Sequence, residues 1–118
     1  MDNYNTFVNW CNDNGAKISD LLLETYKNNE RGIHAINGIR KSKTIIEIPE
    51  RLIIHDGMGK ETEYGQMIKK HEMKFKNLKI IYVMLFILET YKTDCFYEPY
   101  YDILPKNTDN FPIFWKKE

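Results

Sequence analysis

The chain has 118 residues, 42% of them hydrophobic, with 17 basic side chains balanced by 17 acidic ones. That length suits one domain able to bury roughly two thirds of its unfolded surface. The zero formal charge excludes a global basic field for a phosphate backbone, and the 14% aromatic content excludes a disordered chain.

Phe7, Trp10 and Cys11 recur at three- and four-residue spacing, which predicts an N-terminal helix. Asn5 or Thr6 is its expected cap, and Asn14-Gly15 its stop, because both residue types tolerate left-handed backbone angles. Three strands are expected next, over residues 21–26, 32–36 and 43–48. Asn28-Asn29 and Asn37-Gly38 bound the second. The third alternates, with Ile46 and Ile48 on one side and Ile45 and Glu47 on the other. Pro49 ends it, since proline cannot donate to a ladder. Residues 52–54 add a short fourth strand, and residues 55–59 read as a loop by their glycines.

The pattern then turns helical. Residues 61–76 predict a polar helix with Gly65 as its soft point. Leu78, Ile81, Tyr82, Leu85, Phe86 and Glu89 share the face of a second helix over residues 78–91. Ile80, Val83, Met84 and Ile87 make most of that circumference apolar, so the helix is expected to be deeply buried. A carboxylate in such a helix needs a partner, and Glu89 is read as a structural brace. Residues 93–118 are expected to be irregular, broken by Pro99, Pro105 and Pro112. Phe96, Tyr97, Tyr100, Tyr101, Phe111, Phe114 and Trp115 are expected to pack this tail together. Helix, strands, then helices is an α+β order with no repeated βαβ unit.

Few residues suggest chemistry of their own. Lys69, Lys70, Lys74, Lys76 and Lys79 interleave with Glu61, Glu63 and Glu72, as on a solvated face, so no nucleic-acid partner is expected. Cys11 and Cys95, with His34, His55 and His71, show no metal spacing, and no metal is expected. His34 has no carboxylate evidently placed to orient it and reads as an ordinary strand residue, while His55 and His71 read as loop and surface residues. Ser19 and Ser42 sit in no nucleophile motif. No basic segment leads into an apolar run at the N-terminus. The apolar run over residues 80–88 is shorter than the ~20 residues of a membrane span. An intracellular chain, cytoplasmic or nuclear, with no membrane partner is expected.

Three separated segments carry a resemblance. Phe7-Val8-Asn9-Trp10 through Asn14-Gly15 fits an F-x-x-W-x-x-x-N-G opening. Glu30-Arg31-Gly32-Ile33-His34-Ala35, followed by Ile45-Ile46-Glu47-Ile48-Pro49-Glu50-Arg51-Leu52, fits a paired-strand signature. Leu85 to Glu89, Pro99-Tyr100, Leu104-Pro105 and Phe114-Trp115 fit a helical insertion. In this order they resemble SET-domain protein methyltransferases of the Rubisco large-subunit methyltransferase-like group. Tyr97 and Cys95 depart from that pattern, standing where Trp and Ser are usual.

The resemblance implies an incomplete SET fold, with an N-terminal helix and SET strands over residues 1–58 and the start of the helical insertion over residues 59–118. It implies S-adenosylmethionine as cofactor, a protein substrate, and methyl transfer to lysine or histidine. By the same resemblance Asn29, Glu30, Arg31 and Gly32 form one wall of the cofactor site, where glycine admits close backbone approach and Arg31 pairs with a carboxylate. The family's Asn-His pair and distal catalytic Tyr segment are absent from these 118 residues. This chain is therefore expected to be a fragment without turnover, with no catalytic residue of its own. The alternative is a non-catalytic SET-like interaction module. Either way, an uncovered sheet edge or apolar face predicts self-association through exposed or exchanged segments.

Overall fold

A computed structural model of the chain describes all residues except 1, 2, 28, 29, 92, 94, 110, 117 and 118. The side chain of Phe114, one of the expected packing aromatics, also lies outside the described residues. The architecture is α+β, as the element order implied. Helix α1 spans Asn3–Asp13, so the expected caps Asn5 and Thr6 lie inside it. Gly15 takes φ +91° just beyond its end. There Gly15 donates to Asn12 O at 3.0 Å and Ala16 to Cys11 O at 2.9 Å, satisfying carbonyls the helix leaves open.

Strand β1, Lys17–Ile18, was not expected; it pairs antiparallel with β4, Ile46–Glu47. The ladder holds only two residue pairs, shorter than the 43–48 strand the alternation predicts. Asp20 at φ 58° and Ser42 at φ 67° turn the chain on either side of the contact, and an L-residue in the left-handed region ends extended pairing. Between them, β2 (Leu21–Thr25) and β3 (Arg31–Ala35) lie within a residue of the expected bounds and pair as an antiparallel hairpin.

Residues 50–54 correct the sequence reading. The expected fourth strand is one 3-10 turn, Glu50–Leu52, launched by Pro49 at φ −63°. Proline pre-sets that angle for a turn of helix. The expected glycine loop is also helical: α2 spans Asp56–Lys60, with an Asp56–Lys60 ion pair at 3.0 Å. Its Gly59 serves a close helix crossing rather than a loop. Helix α3 is Glu63–Lys70 and stops six residues short of expectation, with Glu72 at φ 48° just past its end. Thr62 caps it, accepting from Gly65 N at 3.0 Å and donating to Gly59 O at 2.7 Å. Helix α4, Leu78–Tyr91, has the expected bounds. In the tail, α5 spans Glu98–Asp102 and a 3-10 turn spans Pro112–Phe114.

Two centres hold the chain together. In the first, α2 crosses α4 backbone against backbone: a Cβ on Gly59 would lie 1.8 Å from Tyr82 O, and one on Gly65 would lie 2.0 Å from Gly59 O. The second is aromatic. The Trp10 ring lies 5.3 Å from Phe96 and 6.2 Å from Tyr97, and Tyr97 lies 5.6 Å from Phe86, edge to face. The expected packing of the tail aromatics therefore holds for Tyr97, Tyr100 and Tyr101; Phe96 meets Trp10 and Tyr97 but is exposed on its other side, and Phe111 and Trp115 are exposed.

The expectation that α4 is deeply buried is wrong. Only Tyr82 of this helix is buried, and Ile80, Met84 and Leu88 are more than half exposed. Glu89 is exposed as well and needs no buried partner. The opening is general. The accessible surface is 10027 Å², against about 6,800 Å² for a compact chain of this mass. The radius of gyration is 17.7 Å, against about 13.5 Å. Among the described residues, no helix is long and apolar enough to cross a membrane.

Candidate functional site

The β2–β3 hairpin carries the residues that the sequence singled out. Glu24 stands opposite Gly32, Leu22 opposite His34 and Thr25 opposite Arg31. The closing bonds run from Tyr26 N to Glu30 O at 2.8 Å and from Ile36 N to Asp20 O at 2.8 Å. Antiparallel pairs alternate between bonded and unbonded, so Glu30, Gly32, His34 and Ile36 direct their backbone groups at β2. Arg31, Ile33 and Ala35 direct theirs outward, along the free edge of β3. That edge offers alternating N–H donors and C=O acceptors to whatever lies beside it.

The exposed face of the hairpin explains its glycine. Tyr26 Oη is hydrogen bonded to His34 Nε2, and the two side chains meet over Gly32. A Cβ there would lie 3.2 Å from the Tyr26 ring and 3.3 Å from His34 Nε2. Glu24 Oε2 lies 3.8 Å from the same imidazole nitrogen. The hairpin register brings this carboxylate near His34 from ten residues upstream, but beyond hydrogen-bond range, and Tyr26 is the partner that bonds the ring nitrogen. Glu24, Tyr26 and His34 are all solvent-exposed, so the trio is a surface cluster and not an enclosed reaction centre.

Arg31 already has partners. Its Nη1 donates to Ile103 O at 2.5 Å, at the end of α5, and its guanidinium lies 5.7 Å from the centre of the Tyr4 ring. The arginine thereby fastens the hairpin to both α1 and α5 while keeping further N–H groups. Glu30 is exposed beside it. Asn29 lies outside the described residues. Glu30, Arg31 and Gly32 are thus contiguous on one exposed hairpin arm. Arg51, which no motif singled out, makes a second fastening. It donates to Asn14 O from Nε at 3.1 Å and from Nη2 at 2.5 Å, and its carbonyl accepts from Tyr97 Oη at 2.9 Å. No spacing rule could have found it, because its partners are 37 and 46 residues away.

An apolar cleft of about 320 Å³ opens between α1, the 3-10 turn at Glu50–Leu52 and α5. Phe7, Trp10, Cys11, Leu52 and Tyr100 line it. Burial pushes the Cys11 thiol above its ordinary range, which keeps it protonated and a poor nucleophile. Burial likewise raises the Tyr97 and Tyr101 hydroxyls. Among the described residues, no three His, Cys, Asp or Glu side chains converge as a metal site.

Comparisons with known proteins set these features in context. No family model matches the chain, and no solved structure matches it. Actin-histidine N-methyltransferase of Mus musculus is 20% identical over 117 residues, 99% of this chain and 20% of that protein. The Homo sapiens protein of the same name is 19% identical over the same length. The chloroplastic ribulose-1,5-bisphosphate carboxylase/oxygenase large subunit N-methyltransferase of Nicotiana tabacum is 34% identical over 89 residues, 74% of this chain and 16% of that protein. The chain spans a fifth or less of the length of these curated relatives. At this distance it is related to protein methyltransferases.

Proposed function

We propose that this chain forms one wall of the S-adenosylmethionine site of a SET-domain protein N-methyltransferase whose substrate is a lysine or histidine side chain of another protein. The observation that carries the reading is the 34% identity over 89 residues to a Rubisco large subunit N-methyltransferase. The hairpin geometry supports it. The cofactor's methionine end carries a carboxylate and an ammonium, and the free edge of β3 presents both hydrogen-bonding polarities at Arg31 and Ile33. In this reading the edge N–H groups bind the carboxylate, the edge carbonyls bind the ammonium, and the unused N–H groups of Arg31 add a charged partner. When bound, the cofactor supplies an electrophilic methyl group to an uncharged nitrogen. Arg31 and its edge neighbour Ile33 hold and orient it, while Glu30 and Gly32, whose backbone groups face β2, set the course of the arm; none of them moves a proton.

One observation favours the alternative of a non-catalytic module. Arg31 already bonds Ile103 O, and Gly32 already makes room for the Tyr26–His34 pair, so both residues have structural work.

Titration of the isotope-labelled chain with S-adenosylmethionine, followed residue by residue by NMR, separates the two. The enzyme reading expects weak binding, with shifts centred on Arg31 and Ile33 and extending to Tyr4 and Ile103. Saturating cofactor that leaves the hairpin resonances unmoved sinks it.

A further inference from the structure

Helix α4 is apolar on two opposite faces. Tyr82, Phe86, Leu78 and Leu85 turn inward, whereas Ile80, Met84, Leu88 and Tyr91 are 54%, 51%, 58% and 66% exposed. Their spacing of four, four and three residues places these four side chains on one line along three turns. A soluble chain rarely leaves such a stripe bare.

The flanks of the stripe differ in charge. At its N-terminal end, a groove shared by Ile80 and Met84 is edged by Lys79 and by Asp56, and Asp56 is already paired with Lys60. The last turn of α3 adds exposed Lys69 and Lys70, and the segment after it adds exposed Lys74 and Lys76 against one exposed acid, Glu72; none of the four lysines has an ion-pair partner among the described residues. At its C-terminal end, a groove shared by Leu85 and Leu88 is edged by Glu63 and Glu89. One end of the α3–α4 hairpin is therefore basic and the other acidic, with the apolar stripe between them.

We infer that this face is an interface between two copies of this chain, packed antiparallel along α4. A two-fold axis near the middle of the stripe sets Met84 of each copy beside Leu88 of the other, and Ile80 beside Tyr91. The same operation brings each basic end onto an acidic end, which is the isologous complementarity that a closed dimer requires. The inference concerns α4 alone and stands whether or not the β3 edge binds a cofactor.

Sedimentation analysis of the full chain tests it, with far-UV circular dichroism confirming that each variant keeps its helices. The expected species is a dimer at micromolar concentration. Leu88→Glu weakens association about tenfold or more, because the charge would be desolvated at the interface. Reversing the basic end with Lys74→Glu and Lys76→Glu weakens the dimer, as does reversing the acidic end with Glu63→Lys and Glu89→Lys. Combining all four restores it. A monomer at high micromolar concentration, an open-ended aggregate, or a dimer indifferent to Leu88→Glu and to the charge reversals would overturn the inference.

Discussion

Gly59 meets Tyr82 backbone to backbone, and no side chain fits between them. A Cβ on Gly59 would stand 1.8 Å from the Tyr82 carbonyl oxygen and 2.7 Å from its Cα. The obstacle is the main chain of a helix, which cannot swing aside. This contact locks the short α2 across α4, and α3 rests on α2 in turn through Gly65.

Gly59→Ala therefore costs about 3 kcal/mol or more, at or beyond the upper end of ordinary overpacking. Gly65→Ala behaves similarly, because its obstacle is the carbonyl of Gly59. Gly38 is the control. Nothing lies within 4 Å of its would-be Cβ, and its φ is not in the left-handed region. Gly38→Ala should be neutral or stabilising by up to about 1 kcal/mol through the unfolded chain. Urea unfolding of the three variants checks the order.

Thr62 is buried, and its hydroxyl bonds on both sides, donating to Gly59 O and accepting from Gly65 N. Thr62→Val keeps the volume and loses both bonds, at a cost of about 2 kcal/mol. Thr62→Ser keeps the hydroxyl and recovers most of that loss. Equal thermal shifts for the two variants would show that the hydroxyl contributes nothing.

The side-chain hydrogen bond from Lys43, then that from Asn37, holds the Asp20 carboxyl below its ordinary value of 3.8. A carboxyl that is more acidic in the folded state stabilises the fold at neutral pH. Its contribution is lost as pH falls from the ordinary carboxylate range through the lowered folded value. Lys43→Met removes the main cause. The acid-side slope of stability against pH should then be shallower in Lys43→Met than in the parent chain.

Both cysteines are free, Cys11 buried and Cys95 half-buried. With its thiol pushed upward by burial, Cys11 should react with a thiol reagent only as fast as the local structure opens. Two kinetic phases are expected under native conditions, and Cys95→Ser should abolish the fast one. A single fast phase of two equivalents would place Cys11 at the surface.

The sequence by itself determined the elements whose signals are local. The 3.6-residue apolar recurrence set α4 to its observed bounds, and the Asn14-Gly15 stop ended α1 where the left-handed angle falls. Strand-like runs on either side of Asn28-Asn29 marked β2 and β3, and the structure pairs them as a hairpin. The resemblance drew attention to Asn29, Glu30, Arg31 and Gly32 as a turn before a strand, whereas Arg31 and Gly32 are already paired within β3. The errors lie where a residue type has two local uses and a distant neighbour selects one. Glycines at 57 and 59 read as a loop, yet they form a helix, and at Gly59 the main chain of α4 leaves no room for a side chain. The 43–48 alternation shrank to two pairs because its partner, Lys17–Ile18, is too short to read as a strand.

Only the tertiary structure decided what those residues touch. It set Glu24 beside His34, fastened Arg31 to Ile103 and Arg51 to Asn14, and left one apolar face of α4 open. Periodicity reports that a helix face is apolar, and the same pattern serves for burial in one's own core or for exposure to another surface. Which of these holds depends on what the rest of the chain can bring against that face. Contacts separated by tens of residues leave no mark in local sequence.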